Sequence, residues 1–475
     1  MQKRHKDINE VKNIHFIGIG GEGMSPIAKI LLEKKFNVSG SDMRENLHTF
    51  RLKDKGAQIY FKHDETNIRS ADVVVISTAI PEDNPELQAA RAHKIPVLKR
   101  AQMLSWLMEQ EEKKIAVAGT HGKTTTTSMI SQIFSNCNLS PTFIIGGEIN
   151  GINANCALGE GKYFIAEADE SDGSFLELNP NIMVITNIEP EHLDYYRDLD
   201  HIFETFKQFV SKLPPDGYLV INYDHPNNKQ FIESIDCNIL TYGFDNFSDI
   251  RAENIEFFEN NTSFDVIYKH KYLTRIELQI PGKHNVQNAL AALLIGLEHG
   301  LPIEPMRQAL YSFLGTKKRF QKIGEFNDIT FIDDYAHHPT EIAATLSAAR
   351  AGWPDRRIIV IFQPHRYTRT KLLAHEFSEC FNNADTVIIT NIYAASEKPI
   401  HGISGKIIYD LLEKNQHNDI HYISKKNEIP EFLLSFVKPN DMIITMGAGD
   451  IHNVSKETLT RLKQLELIEE EETDN

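Results

Sequence analysis

The chain has 475 residues, about three times the length of a typical domain, so two to four domains with separate cores are expected. Apolar residues make up 41% and charged residues 24%, which excludes a disordered or fibrous chain, and the longest uncharged apolar runs, such as residues 73–80, fall far short of the ~20 residues of a membrane-spanning helix. Fifty Lys and Arg against 66 Asp and Glu leave a formal charge of −16, which repels phosphate backbones and argues against nucleic acid as a partner.

A small polyanion is a different case, because Lys, Arg, backbone N–H groups and a divalent cation can be concentrated locally. The opening segment, residues 1–12, mixes Lys, His, Asp and Glu with no apolar stretch behind it, so no secretory signal is expected and the protein should stay in the cytoplasm. Cys137, Cys156, Cys237 and Cys380 lie far apart without C-x-x-C spacing, and neither a disulfide framework nor a zinc site is suggested.

In chain order, residues 15–19 form a short apolar run, 24–32 have helical spacing, and 38–41 and 73–77 are again short β-branched runs. This alternation predicts a parallel sheet covered by helices. A polar stretch at 109–114 precedes a restart at 115–118, so a first boundary is placed near residue 110. Further strands are predicted at 163–166, 182–186 and 218–222, then polar β-rich sequence over 246–280. A second restart at 330–332 follows the basic Lys317, Lys318 and Arg319. Strands at 358–362, 386–390 and 442–446 make the last third doubly wound as well. The tail, residues 469–475, is acidic and expected to fray.

Four constellations carry chemistry. Gly18-Ile19-Gly20-Gly21-Glu22-Gly23 follows a strand and precedes a helix, with Asp42 at the end of the next strand. The glycines let the backbone approach a pyrophosphate stabilised by the helix N-terminus, and the carboxylate can hold a ribose hydroxyl. Any nucleotide diphosphate satisfies this physics, so the loop reports pyrophosphate and not nicotinamide. Glu22 must then face solvent. The second constellation, Gly119-Thr120-His121-Gly122-Lys123-Thr124-Thr125, is two residues shorter than the usual phosphate loop, since Val117 stands where its first glycine would be. Its N–H groups can wrap a β-phosphate, Lys123 can reach a γ-phosphate, and the Thr124 or Thr125 hydroxyl can ligate Mg²⁺.

Third come Glu167-Ala168-Asp169-Glu170-Ser171-Asp172 and Asn187-Ile188-Glu189-Pro190-Glu191-His192, each beginning where a β run ends. Beside a phosphate loop such carboxylates and an imidazole suit a shared Mg²⁺ site. Fourth are Asp333-Asp334-Tyr335-Ala336-His337-His338-Pro339-Thr340 and Gln363-Pro364-His365-Arg366-Tyr367-Thr368-Arg369. Arg366 and Arg369 suit bidentate carboxylate capture, and one member of the His pair is expected to be structural. Gly447-Ala448-Gly449-Asp450 reads equally as a packing turn.

Two nucleotide loops and a third module with Arg and His imply two nucleotides and a third small substrate. The segments 119–125, 167–174, 186–194, 284–288 and 333–341 resemble motifs of the Mur ligases of bacterial peptidoglycan synthesis, a resemblance running from about His15 to Asn453. Residues 15–21, Asp333-Asp334-Tyr335 with the His pair, and 365–370 are similar to the branch that adds L-alanine. The resemblance implies an α/β fold in three domains: a Rossmann-like UDP-sugar-binding domain over 1–110, a central P-loop ATPase α/β domain over 111–320, and a C-terminal Rossmann-like amino-acid-binding domain over 321–475.

It further implies an ATP-dependent ligase joining L-alanine to the lactyl carboxylate of UDP-N-acetylmuramic acid through an acyl phosphate, with release of ADP and phosphate. A carboxylate is a poor electrophile, so phosphorylation must precede attack by the amine. Carried over residue by residue, the resemblance puts Lys123 and His192 in catalysis, with Mg²⁺ held by Glu167, His192 and Thr124 or Thr125. ATP falls to Gly119 through Thr125 with His284, Asn285, Asn288, Arg319 and Asp334, where Asn288 would meet adenine, Arg319 phosphate and Asp334 the ribose. The UDP end falls to Gly18, Gly20, Gly21, Gly23, Asp42 and Ser77, and alanine to Tyr335, His337, Arg366 and Arg369. His337 is the candidate proton acceptor. The implied partners are the two substrates, with no nucleic acid, no membrane insertion, and a monomer or weak homodimer. A paralogue attaching a recycled tripeptide is the nearest alternative. A nicotinamide oxidoreductase would leave Lys123 and the Glu167 and His192 loops without work, and a non-catalytic nucleotide-binding regulator would have no turnover for Lys123 to support.

Overall fold

The computed structural model describes residues 11–192 and 195–473, with side chains to residue 467. Most of the opening segment, Asp194 of the stretch 186–194, and the side chains of the acidic tail lie outside the described residues. The chain divides into two compact units, one of Met1–Arg251, Ile267–Tyr272 and Gln287–Leu310, the other of Ala252–Val266, Leu273–Val286 and Tyr311–Asn475.

The first unit opens with five parallel strands, β1 (Asn13–Ile17), β2 (Asn37–Ser41), β3 (Gln58–Tyr60), β4 (Val73–Ile76) and β5 (Val97–Lys99), in the order β3-β2-β1-β4-β5. The central strands β1 and β4 are buried on both faces through Ile14, Phe16, Ile17 and Val73 to Val75, as helix-covered parallel strands must be. The predicted first strand ran to Ile19 but β1 ends at Ile17. Gly18 turns to φ 81°, and the N–H groups of Gly18 and Ile19 both donate to the Ser41 carbonyl, at 2.8 and 3.0 Å. The chain then enters the helix Ser25–Glu33 with a proline in its first turn. Gly40 makes this turn possible, because a Cβ there would lie 2.6 Å from Ile19 Cδ1 and 2.7 Å from the Phe16 carbonyl.

A second sheet in the same unit contains β6 (Lys113–Ala118), β7 (Thr142–Ile149), β8 (Ala154–Ala157), β9 (Tyr163–Glu167), β10 (Ile182–Ile185), β11 (Tyr218–Asn222) and β12 (Asn238–Gly243). Their order is β12-β11-β10-β6-β9-β7-β8, parallel throughout except for β8 against β7. The helix Leu199–Val210 covers it with Ile202, Phe203, Phe206, Phe209 and Val210, a helical-period apolar face, and Asp198 caps its start by accepting from His201 N at 2.8 Å. β6 lies between β9 and β10, so the loops leaving these three strands emerge on one edge, at the switch point where ligands bind in such sheets.

The Asn-rich stretch is β-rich as expected, forming β13 (Ile250–Phe258), β14 (Asn261–Tyr268) and β15 (Lys271–Leu278). The second unit contains β16 (Gln321–Phe326), β17 (Ile329–Asp334), β18 (Arg357–Phe362), β19 (Thr386–Ile389), β20 (Ile420–Tyr422) and β21 (Asp441–Met446), ordered β16-β17-β21-β18-β19-β20. Only β16 runs antiparallel, joined to β17 by Asn327 and Asp328, both at positive φ as a tight hairpin requires. All four cysteines are unpaired, and among the described residues no helix is long and apolar enough to cross a membrane. The fold is α/β, built on mostly parallel sheets. Replacing Gly40 by Ala is expected to cost about 1–3 kcal/mol through overpacking, read as a lower denaturant midpoint, and an unchanged midpoint would contradict the close contact of β2 with the glycine turn.

Candidate active site

The glycine loop is shaped from below. Asp42 Oδ2 accepts from Gly20 N at 2.9 Å and Oδ1 from Met43 N at 2.8 Å, so this carboxylate holds the loop itself. A Cβ on Gly20 would come within 2.7 Å of Asn46 and 2.8 Å of Asp42. Ser77, just past β4, accepts from Ala79 N at 3.2 Å. Glu22 is 73% exposed and pairs with His48 at 3.5 Å, facing solvent as the loop's chemistry demands. Deeper in, the fully buried Glu86 accepts from Ser41 Oγ at 2.5 Å and Asn67 Nδ2 at 2.6 Å and lies 3.1 Å from His63 Nδ1. Burial alone would raise its carboxyl, but His15, Ser41 and Asn67 hold it down to about 2. Nothing in the sequence around Glu86 marks it, since its partners come from distant strands and turns.

The phosphate loop leaves β6 and is laced to the end of β10. Thr120 N donates to the Asn187 carbonyl (2.9 Å), His121 N to Asn187 Oδ1 (2.8 Å), and Thr186 Oγ1 to the His121 carbonyl (2.5 Å). Gly119 at φ 126° and Gly122 at φ 83° allow the tight path, and a Cβ on Gly119 would stand 2.2 Å from Thr186 Oγ1. Gly122 leads into the helix Lys123–Asn136. Lys123 Nζ donates to the carbonyls of Gly119 (2.6 Å) and Thr120 (3.1 Å) and to Glu170 Oε1 (2.8 Å). Burial works against its charge, but Glu170, Glu167 and Asp169 outweigh it and hold the ammonium above its usual range.

Thr124 Oγ1 lies 3.0 and 3.1 Å from the Glu167 oxygens, and Gly146 N donates to the same carboxylate at 2.7 Å. Thr125 is buried in the helix. His192, at φ 54°, places Nε2 3.9 Å from Glu170 Oε1. Asn288 packs on the loop, accepting from Thr126 Oγ1 at 3.0 Å. Glu170 Oε2 is buried and accepts no hydrogen bond among the described residues. That orphaned oxygen, with the Glu167 carboxylate and the Thr124 hydroxyl, is a hard-oxygen set that fits Mg²⁺.

In the second unit the loops after β17 and β18 carry the predicted residues, and both strands flank β21 in parallel. Asp334 accepts from Phe320 N and Ala336 N, both at 2.7 Å, and burial raises its carboxyl to about 6 against the pull of Arg319. Arg319 donates to Glu341 at 3.1 Å and stacks 5.5 Å over the Tyr335 ring. His337 Nδ1 lies 3.0 Å from the Tyr335 carbonyl and 3.3 Å from Glu341 Oε2, both acceptors, an arrangement that suits a proton on Nδ1. His338 is the structural member of the pair, capping the helix Pro339–Gly352. His365 stacks on Tyr393 and lies 3.1 Å from Arg369, while Arg366 (φ 69°) begins the short helix Tyr367–Leu372. Gly447 and Gly449 pack on Gln363, a packing turn. Asn285 Nδ2 donates to the Pro281 carbonyl at 2.7 Å.

Within the first unit the structure therefore brings together Lys123, Thr124, Glu167, His192 and Asn288 around the phosphate loop. Gly18, Gly20, Gly21, Gly23 and Asp42 form the other loop. In the second unit Arg319, Asp334, Tyr335 and His337 cluster, with His365 5.8 Å from His337. Glu170 was missed as a site residue. The sequence offers Glu167, Asp169 and Glu170 within four positions, and only the direction in which the chain leaves β9 decides which one meets Lys123.

A glycine loop and a phosphate loop at parallel-strand ends, the latter ringed by metal-competent oxygens, define a nucleotide-using α/β protein. The chain belongs to the Mur ligase family: residues 13–112 match the family model described as "Mur ligase family, catalytic domain", 117–296 "Mur ligase middle domain" and 318–449 "Mur ligase, glutamate ligase domain". It is 47% identical to the UDP-N-acetylmuramate–L-alanine ligase of Pelotomaculum thermopropionicum, over 96% of this chain and 99% of that one. It is 43% identical to the ligase of the same name from Geobacter sulfurreducens, over 96% and 98%. Among solved structures it is similar to a UDP-N-acetylmuramate-alanine ligase of Thermotoga maritima, with 30% identity, TM-score 0.80 and coverage of 95% and 99%. A murein peptide ligase of Psychrobacter arcticus follows at 25% identity, TM-score 0.69 and coverage of 95% and 98%.

His284 supplies a test of the site's electrostatics. Burial first, then the Arg319 guanidinium, push its imidazole down to about 4. Between that value and the ordinary ~6.5 the unfolded chain binds more protons, so this residue's contribution to stability is complete above pH ~6.5 and lost as pH falls toward 4. Denaturant unfolding at pH 7 and pH 5 is expected to show a smaller stability difference in His284→Gln than in wild type, and equal differences would contradict a neutral His284.

Proposed function

We propose that the protein is an ATP-dependent ligase that joins L-alanine to the lactyl carboxylate of UDP-N-acetylmuramic acid through an acyl phosphate, releasing ADP and phosphate in peptidoglycan precursor synthesis. The observation that carries the reading is the seat of Lys123, whose ammonium sits between two loop carbonyls and Glu170 at the end of β6. Supporting it, full-length relatives at 43–47% identity bear the name of this activity. The domains are taken as 1–110, 111–320 and 321–475, and the cytoplasm as its place.

In this reading Gly18, Gly20, Gly21 and Gly23 let the backbone come close to the UDP diphosphate at the start of the helix Ser25–Glu33, with Asp42 fixing their path and Ser77 beside them. Gly119 to Thr125 wrap the ATP phosphates, with His284, Asn285, Asn288, Arg319 and Asp334 serving the rest of the nucleotide. Two anions must meet, the lactyl carboxylate and the γ-phosphate, and Lys123 offsets their repulsion. Mg²⁺, held by Glu167, His192 and the Thr124 or Thr125 hydroxyl, supplies further neutralisation when bound. Arg366 and Arg369 clamp the alanine carboxylate, with Tyr335 beside it, and the Nε2 lone pair of His337 accepts the proton released as the amine attacks.

The tripeptide-adding paralogue is the weaker reading, since the murein peptide ligase structure is less similar in both sequence and fold. The test is phosphate release from ATP with UDP-N-acetylmuramic acid, supplying L-alanine, other amino acids or the tripeptide singly. Release dependent on L-alanine is expected. Release with the tripeptide alone would move the assignment to the recycling reaction.

A further inference from the structure

Arg100 belongs to none of the motifs, yet it lies between the two nucleotide loops of the first unit. It opens the helix Arg100–Met108 directly after β5, and Ala101, Met103, Leu104 and Leu107 bury that helix's inner face. The same helix is tied to the segment that follows β9, since Ser105 Oγ donates to the Glu177 carbonyl at 2.7 Å and Gln102 Nε2 to Glu177 Oε1 at 3.4 Å. The arginine is therefore mounted on a fixed element. Its stem lies flat on the glycine loop: a Cβ built on Gly23 would stand 3.0 Å from Arg100 Cδ and 3.4 Å from Nε. Its far end reaches Asp169, with Nη2 3.4 Å from Oδ2. Asp169 directly precedes Glu170, the partner of Lys123.

The guanidinium is under-used. The side chain is only 25% exposed, yet that single contact at the outer limit of hydrogen bonding is its whole hydrogen-bond complement among the described residues. The guanidinium keeps spare parallel donors, and its planar fork matches a carboxylate. Resting on the ligase reading, position selects which carboxylate this is. A UDP-sugar with its diphosphate on Gly18–Gly23 must extend its lactyl arm toward the γ-phosphate at Lys123, and Arg100 spans that interval. Asp169 then stands in for the substrate's own carboxylate.

We propose that Arg100 is a substrate-binding residue that captures the lactyl carboxylate of the UDP-sugar and presents it between the glycine loop and Lys123. The carboxylate can be separated from the diphosphate by comparing UDP-N-acetylmuramic acid with UDP-N-acetylglucosamine, which keeps the diphosphate and lacks the lactyl arm. Both are titrated by calorimetry into wild type, Arg100→Ala and Arg100→Lys. Arg100→Ala is expected to weaken binding of the lactyl sugar roughly 10- to 100-fold, the range for a charge-assisted hydrogen bond, with little change for the other nucleotide. Arg100→Lys keeps the charge and the packing on Gly23, so it reads the fork even if the alanine variant folds poorly, and a several-fold loss confined to the lactyl sugar is expected. Equal losses for both nucleotides would make Arg100 a diphosphate contact, and no loss for either would remove it from the site; both overturn the proposal while sparing the ligase reading. Wild-type protein that binds neither nucleotide would overturn the ligase reading itself.

Discussion

The Lys123 ammonium is the constraint around which the first unit is arranged. A buried charge costs several kcal/mol unless it is paired and its protons are accepted. Two of its acceptors are carbonyls of its own loop, so the loop must curl back on its lysine, and only glycine at 119 and 122 lets it do so at the positive φ observed. The third acceptor, Glu170, sits in the segment leaving β9, which must therefore neighbour β6. On the other side, Asn187 accepts from the Thr120 and His121 N–H groups and Thr186 donates to the His121 carbonyl, which pins the loop to the end of β10. Sheet order, glycine placement and carboxylate position answer one electrostatic requirement.

The same local logic reconciles an acidic chain with polyanionic ligands. A net charge of −16 sets the field at a distance, where salt screens it. Close to the loops, carboxylates are turned to internal work. Asp42 ties Gly20, Glu167 meets Thr124 and Gly146, Glu170 meets Lys123, and Glu86 is buried under the first loop. Glu22 alone of the glycine-loop residues carries a charge, and it faces solvent beside His48.

Much of the fold was legible because fully buried parallel strands leave short β-branched runs, as at residues 73–76, 182–185 and 358–361. The two nucleotide loops were legible for a related reason: a glycine run between such a strand and a helix start has few other uses. Ends and pairings were not. The step from strand to turn at Gly18 depends on the Ser41 carbonyl in another strand, which no local pattern reports. Asp42 could be placed near the loop from its spacing, but its bond to Gly20 N, rather than a role facing outward, needed the structure. Glu86 and Arg100 were invisible for the same reason, since their meaning lies in partners dozens of residues away. Of two adjacent histidines, one capping a helix and one turned beside Tyr335, the sequence allowed the division but not its assignment.

The most direct test of the account is Lys123→Ala, followed by both turnover and UDP-sugar affinity. If this ammonium is the group that lets carboxylate and γ-phosphate meet, turnover should fall by on the order of 10²–10³ or more, as for loss of a preorganised charge at the reacting centre. Binding of UDP-N-acetylmuramic acid should stay within about twofold of wild type, because its diphosphate loop is built on other residues. Turnover retained near the wild-type rate would contradict the account at its centre.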